Sequence, residues 1–129
     1  MSLDLNMRIL VVDDSNTMQR IIKTALRDIG LRDVTTADDG DIAWDLLRRR
    51  SFDLVLSDHK MPRMSGEELL AKVRNDPDLK CVPFIMITAE AFRENVLTAV
   101  KLGVSSYIVK PFSAQQLKQK IEKVCTAVC

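Results

Sequence analysis

Four short, unbroken apolar runs punctuate this chain, and between them the apolar residues recur at helical spacing. The runs are Ile9-Leu10-Val11-Val12, Leu54-Val55-Leu56, Phe84-Ile85-Met86-Ile87 and Tyr107-Ile108-Val109. A strand that is apolar at successive positions is buried on both faces, as in a parallel sheet covered by helices. These runs predict strands over residues 8–12, 54–57, 82–88 and 106–109, with a weaker, Thr-containing strand over 34–37. The first intervening helix has Asn16 and Gln19 at capping-box spacing. Its apolar stripe is Met18, Ile21, Ile22, Ala25, Leu26 and Ile29, and Gly30 supplies the stop. A second helix, about 41–49, presents Ala43, Leu46 and Leu47. Ser65 and Glu68 cap a third, which buries Leu69, Leu70 and Val73. A fourth, about 93–102, stops at Gly103, and Ser113 with Gln116 opens a fifth that buries Leu117, Ile121 and Val124. Five βα units in succession imply right-handed crossovers and helices on both sheet faces. The polar second strand and the short fifth one suit the edges, which predicts the order 2-1-3-4-5.

The residues that follow the strands are the second constraint. Asp13 and Asp14 follow the first, Asp58 the third, Thr88 closes the fourth, and Lys110-Pro111 follows the fifth. In an open parallel sheet, ligands bind beyond the carboxyl ends of the strands, where the order reverses. Strands one and three are neighbours in the expected order, so the three acids meet at that point. Any one of them alone would serve as a helix cap or turn former. Together they repel one another unless a divalent cation joins them. Carboxylates, a hydroxyl and a lysine around a hard cation make a site for a phosphoryl group.

Composition narrows the alternatives. The chain has 129 residues, expected to form one domain over 1–129, with 47% hydrophobic and 29% charged residues. Its net charge of +1 implies no nucleic-acid or membrane partner. No apolar stretch reaches the roughly 18 residues of a membrane span, and no signal peptide is evident, so a cytoplasmic location is expected. Cys81, Cys125 and Cys129 lack metal-site spacing and are read as reduced thiols without a functional role. His59, the only histidine, is read as an exposed loop residue, and Trp44 as partly exposed at the margin of its helix.

The ordered set Leu10-Val11-Val12-Asp13-Asp14, Asp58 with Met61-Pro62 and Gly66, Thr88-Ala89-Glu90-Ala91, and Tyr107-Ile108-Val109-Lys110-Pro111-Phe112 resembles the bacterial response-regulator receiver domains. The likeness is strongest to the single-domain, CheY-like chemotaxis regulators, and it covers about Arg8 to Val124. The resemblance implies a flavodoxin-like doubly wound (βα)5 sandwich. CheY is itself a standard example of the order 2-1-3-4-5, so the order adds no independent support.

The resemblance also implies a chemistry. Asp58 would take a phosphoryl group from the phosphohistidine of a histidine kinase. Asp14, Asp58 and the Lys60 backbone carbonyl would hold Mg²⁺ directly, and Asp13 would do so through water. Lys110 and Thr88 would contact phosphoryl oxygens. Such a protein is not a conventional enzyme, since it catalyses only its own phosphorylation and dephosphorylation.

Tyr107 stands where the family places a switch aromatic, and the bistable element would be the face of helix four, strand five and helix five. From Glu90 onward six basic side chains (Arg93, Lys101, Lys110, Lys118, Lys120, Lys123) oppose three acids (Glu90, Glu94, Glu122), leaving six minus three, or +3. With Val96, Tyr107, Val109 and Phe112 interleaved, and with Lys120 and Lys123 at its margin, this face would accept an acidic amphipathic peptide such as a flagellar motor switch component. A solvated face with scattered lysines is the equal alternative. A monomer is expected.

Three positions depart from the best-known chemotaxis pattern: Ser15 in place of Phe, His59 in place of Trp, and Lys60 in place of Asn. They leave the phosphorylation chemistry intact and bear on signal lifetime and on the partner. A Lys60–Glu90 pair across the approach to the phosphoryl group would slow dephosphorylation; the equal alternative is that both side chains point into solvent and the lifetime is ordinary. Two other functions share these residues. One is a stand-alone receiver acting as phosphate sink or relay. The other is an Asp-nucleophile phosphatase of the haloacid-dehalogenase type, which would normally carry a second Asp where Lys60 stands.

Overall fold

The computed structural model describes residues 3–89 and 93–125, with the side chains of 93–95 excluded. Five strands, β1 (Ile9–Val12), β2 (Val34–Ala37), β3 (Leu54–Asp58), β4 (Phe84–Thr88) and β5 (Ser106–Val109), alternate with five helices. The helices are α1 (Asn16–Ile29), α2 (Gly40–Arg49), α3 (Gly66–Asn75), α4 (Arg93–Lys101) and α5 (Ala114–Cys125). The sheet is wholly parallel in the order β2-β1-β3-β4-β5. The expected fold is therefore the observed one.

Alternation along the strands divides the core in two. Ile9, Val11, Leu54, Leu56, Ile85, Ile87 and Ile108 pack with α1 and α5. Leu10, Val12, Val55, Phe84 and Met86 pack with α2 and α3. Successive side chains of a strand point to opposite faces, so a strand buried on both has no polar positions until its end. The same alternation places Asp58 on the α1/α5 side with Leu54 and Leu56, and Thr88 on the opposite side with Phe84 and Met86. Tyr107 shares that second side and packs against its core.

Local chemistry sets most helix ends as expected. Ser65 and Glu68 form a reciprocal capping box at α3. Ser113 and Gln116 exchange the same two bonds before α5. Gly30 and Gly103 take φ of 103° and 91°, the left-handed conformation that glycine adopts without steric cost.

Three local expectations need correction. The cap of α1 is Ser15, whose hydroxyl accepts from Met18 N–H at 3.2 Å, and not Asn16. Gln19 turns inward instead and donates to the Asp13 carbonyl and to Asp38 Oδ1, both at 2.8 Å. Ile21, counted in the buried stripe, is exposed, because the α1 stripe that meets the sheet and α5 runs through Ile22, Ala25 and Leu26. Cys81 is disulfide-bonded, so the reading of three reduced thiols does not hold for it; Cys125 is a free thiol.

Far from the acids, Arg74 ties the lower end of α3 to two loops. Its guanidinium donates to the carbonyls of Gly103 (2.8 Å), Lys80 (3.1 Å) and Val82 (2.6 Å) and to Ser105 Oγ (3.2 Å). The planar fork of arginine suits such divergent acceptors, and lysine would satisfy fewer of them.

Candidate functional site

The loops after β1, β3 and β5 bring Asp13, Asp14, Asp58 and Lys110 together. One carboxylate oxygen from each acid lies within 4.8 Å of the others. Asp13 is 1% exposed, Asp58 is half-buried and Asp14 faces solvent. Lys110 Nζ donates to Asp13 Oδ2 at 3.2 Å and to Asp58 Oδ1 at 3.4 Å. The Lys110–Pro111 peptide bond is cis, and the Lys110 N–H donates to the Thr88 carbonyl at 2.7 Å. Thr88 is 5% exposed on the opposite side of the sheet end. Burial raises the Asp58 pKa above the ordinary carboxylate value and the charge of Asp13 adds to that, with Lys110 and the His59 backbone N–H opposing.

The donor set fits a hard divalent cation. All three acids offer oxygen, and octahedral Mg²⁺ at about 2.1 Å from each oxygen requires ligand atoms roughly 3–4 Å apart. The acid oxygens, all within 4.8 Å of one another, lie close to that range. The described residues offer no Cys/His cluster for a softer metal.

The loop between β3 and α3 is pinned at several points, one of them through a residue that sequence reasoning missed. Asp39, only 3% exposed, caps α2 and accepts backbone N–H bonds from Gly40 (2.7 Å), Arg63 (3.0 Å) and Met64 (2.7 Å). The only sequence signal was an Asp directly before Gly40 at a helix start. The two loop N–H donors lie 24 and 25 residues away and leave no local trace. Burial alone would raise the Asp39 pKa, but the three N–H donors and the Arg63 charge outweigh it, and the net shift is downward.

That shift has a pH consequence. A carboxyl whose folded pKa lies below its unfolded value stabilises the fold fully above the unfolded pKa, and the contribution is lost as pH falls through the folded one. The acid limb of stability below pH about 4 is therefore expected to flatten in Asp39→Asn, with lower stability at pH 7. Thermal denaturation between pH 3 and 7 checks this; parallel pH profiles for the two proteins would contradict it.

His59 corrects an expectation. It is buried (7% exposed), and its Nε2 is hydrogen-bonded to Glu67 Oε1 in the first turn of α3. Lys60 is exposed. Its expected partner Glu90 lies outside the described residues, as do Cys129 and the side chains of Arg93 and Glu94.

On the output side, Tyr107, Val109 and Lys120 line an open groove of about 380 Å³, together with Ile108, Gln116 and Gln119. Val109 is exposed and Val96 half-buried, while Phe112 packs against the α1/α5 core and is not interleaved with them. Lys123 is exposed and lies beyond the groove lining.

Comparison with known proteins agrees with this geometry. Residues 9–122 match the response regulator receiver domain. The chemotaxis protein CheY-3 of Vibrio cholerae is 49% identical over 122 residues, covering 95% of this chain and 94% of that protein. The chemotaxis protein CheY of Pseudomonas aeruginosa is 50% identical over 118 residues, covering 92% of this chain and 95% of that protein. Among solved structures, CheY4 of Vibrio cholerae superposes with a TM-score of 0.85 at 32% identity, covering 92% of this chain and 98% of that one. A receiver domain of a Pseudomonas aeruginosa sensor histidine kinase, described with a magnesium ion coordinated in its active-site cleft, gives 0.83 at 28% identity, covering 92% and 98%.

Proposed function

Because the chain belongs to the response regulator receiver domain family, we propose that it is a chemotaxis-type phosphoacceptor that takes a phosphoryl group onto Asp58 and signals through the Tyr107 face. The observation that carries this reading is the convergence of three carboxylates with Lys110 at the carboxyl edge of β1, β3 and β5.

The Asp58 carboxylate attacks phosphorus in line with the bond to the donor, a phosphohistidine imidazole of a kinase or a small phosphodonor. The P–N or P–O bond of the donor breaks, and its electron pair leaves with the donor. An oxygen of Asp58 thereby gains an acyl phosphate, and the half-buried setting limits access of water to the reacting atoms. Asp13, Asp14, Asp58 and the Lys60 carbonyl are the ligand set for Mg²⁺, which when bound neutralises charge developing on the transferring oxygens. Lys110 exchanges its contact with Asp58 for a phosphoryl oxygen, as a point charge. The Thr88 hydroxyl donates to another oxygen, and its displacement opens space for Tyr107.

The same reading makes the protein cytoplasmic and the histidine kinase its donor, with an acidic peptide of the flagellar motor switch as target. The apolar and basic lining of the Tyr107 groove supports that target. No described helix is long and apolar enough to cross a membrane. Pull-down of motor switch components, with and without a phosphoryl mimic, tests the partner. Capture independent of the mimic, or no capture, favours a phosphate sink or relay.

Lys110→Ala tests the site more finely. The metal ligands remain, so Mg²⁺ binding is expected to persist. Phosphoryl acceptance or switching is expected to fall at least tenfold, since about 1.4 kcal/mol of lost charge pairing suffices for that. Wild-type rate and wild-type switching together would remove Lys110 from the proposal.

A further inference from the structure

One buried amide joins two strand ends behind the acids. Gln19, on α1 and 8% exposed, donates through Nε2 to the Asp13 carbonyl and to Asp38 Oδ1, both at 2.8 Å. Both partners only accept, so the nitrogen faces them and both of its N–H groups are used. The Asp13 N–H donates to the Ala37 carbonyl at 3.0 Å. The residue that follows β1 is thus tied to the end of β2 through both of its main-chain groups.

The carbonyl that Gln19 holds belongs to the peptide between Asp13 and Asp14, both in the ligand set. A peptide unit is planar, so fixing its carbonyl fixes the direction in which the chain presents both side chains. The two carboxylates differ in their own support. Asp13 Oδ1 accepts the Ser15 N–H at 2.9 Å, and Oδ2 accepts Lys110 Nζ at 3.2 Å. Asp14 is exposed, and its carboxylate has no hydrogen bond among the described residues. Its direction therefore rests on the backbone that precedes it. Asp13 is 1% exposed, so a carbonyl there that lost Gln19 would find little water in its place. The peptide would turn toward another donor rather than stay unsatisfied.

We propose that Gln19 is a positioning residue of the cation site: braced against Asp38, it holds the Asp13–Asp14 peptide in the orientation that octahedral Mg²⁺ needs, and so sets the preference for Mg²⁺ over Ca²⁺. The inference rests on the cation site of the proposed function and not on phosphoryl transfer. Mg²⁺ demands near-ideal octahedral geometry, whereas Ca²⁺ accepts more oxygen ligands in flexible arrangements. A loosened peptide therefore costs Mg²⁺ more.

Mg²⁺ and Ca²⁺ chlorides titrated separately into the full chain, followed by amide NMR shifts, give both affinities. Gln19→Met keeps the length of the side chain and loses both donors. It is expected to weaken Mg²⁺ about tenfold, the lower end of what losing such a support costs, and Ca²⁺ much less. Asp38 is exposed, so the pair of variants there keeps the fold and decides the matter even where Gln19→Met does not fold. Asp38→Ala removes the brace and is expected to lower the Mg²⁺/Ca²⁺ affinity ratio by a smaller factor. Asp38→Asn keeps an acceptor and removes the charge, and is expected to weaken both ions alike at a wild-type ratio. A wild-type ratio in Asp38→Ala, or in folded Gln19→Met, would overturn the proposal. So would an equal fall in Asp38→Asn, which marks charge rather than orientation. Phosphoryl label on Asp58 is followed in the same samples. Label on the wild type with unchanged ratios in the variants removes this inference alone. Mg²⁺ binding without label overturns the phosphoacceptor reading and leaves the positioning result standing.

Discussion

Asp58→Asn is expected to abolish the Mg²⁺-dependent phosphoryl label. The amide is neither a comparable nucleophile nor an anionic metal ligand, so the variant loses attack and metal charge balance together. A loss of several orders of magnitude is expected, because the reacting atom itself is removed. The same substitution carries a second, opposite expectation. Burial and Asp13 raise the Asp58 pKa. A carboxyl whose folded pKa lies above its unfolded value stabilises the fold below the unfolded pKa, and that contribution is lost as pH rises through the folded one. At pH 7 the ionised Asp58 is therefore a liability without metal, and metal-free Asp58→Asn is expected to melt above the wild type. Label on wild type and variant, with melting in a chelator, checks both. Undiminished label on the variant would remove Asp58 as acceptor, and a lower melting temperature would contradict the electrostatic account.

Gly66→Ala is expected to be the most damaging single methyl near the site. A Cβ at Gly66 would lie 2.2 Å from the Asp58 backbone oxygen and 2.8 Å from Met86 Sδ. The sulfur has room to turn, but the carbonyl belongs to the end of β3, and moving it displaces the strand that carries the acceptor. Relief requires α3 to retreat from the sheet, which strains both the His59–Gly66 hydrogen bond and the Ser65–Glu68 cap. Overpacking against backbone costs about 3 kcal/mol or more. At roughly 3–5 °C per kcal/mol for a domain of this size, the melting temperature is expected to drop by about 10–15 °C. Phosphoryl acceptance is expected to fall with it. A variant melting within a few degrees of wild type would show that α3 yields more easily than the packing implies.

Architecture and the chemical core of the site are written in local patterns. Apolar runs such as Phe84-Ile85-Met86-Ile87 specify strands buried on both faces, and a cap such as Ser65–Glu68 completes itself within one turn. Both signals lie within a few residues, where periodicity and hydrogen bonding act directly. The acids were legible for a related reason: in a parallel sheet every strand ends at the same edge, so Asp13, Asp14, Asp58 and Lys110 need only the strand order to meet.

Tertiary structure alone decided the supports. Ser15 rather than Asn16 caps α1, and Gln19 is thereby free to bridge Asp13 and Asp38. Asp39 is recognisable only beside the backbone of Arg63 and Met64, and His59 is buried with Glu67 as its hydrogen-bond partner. A lone polar residue has no periodicity. Whether it is solvated or buried depends on the partner that satisfies its hydrogen bonds, and that partner is supplied by how the elements pack rather than by the neighbouring sequence.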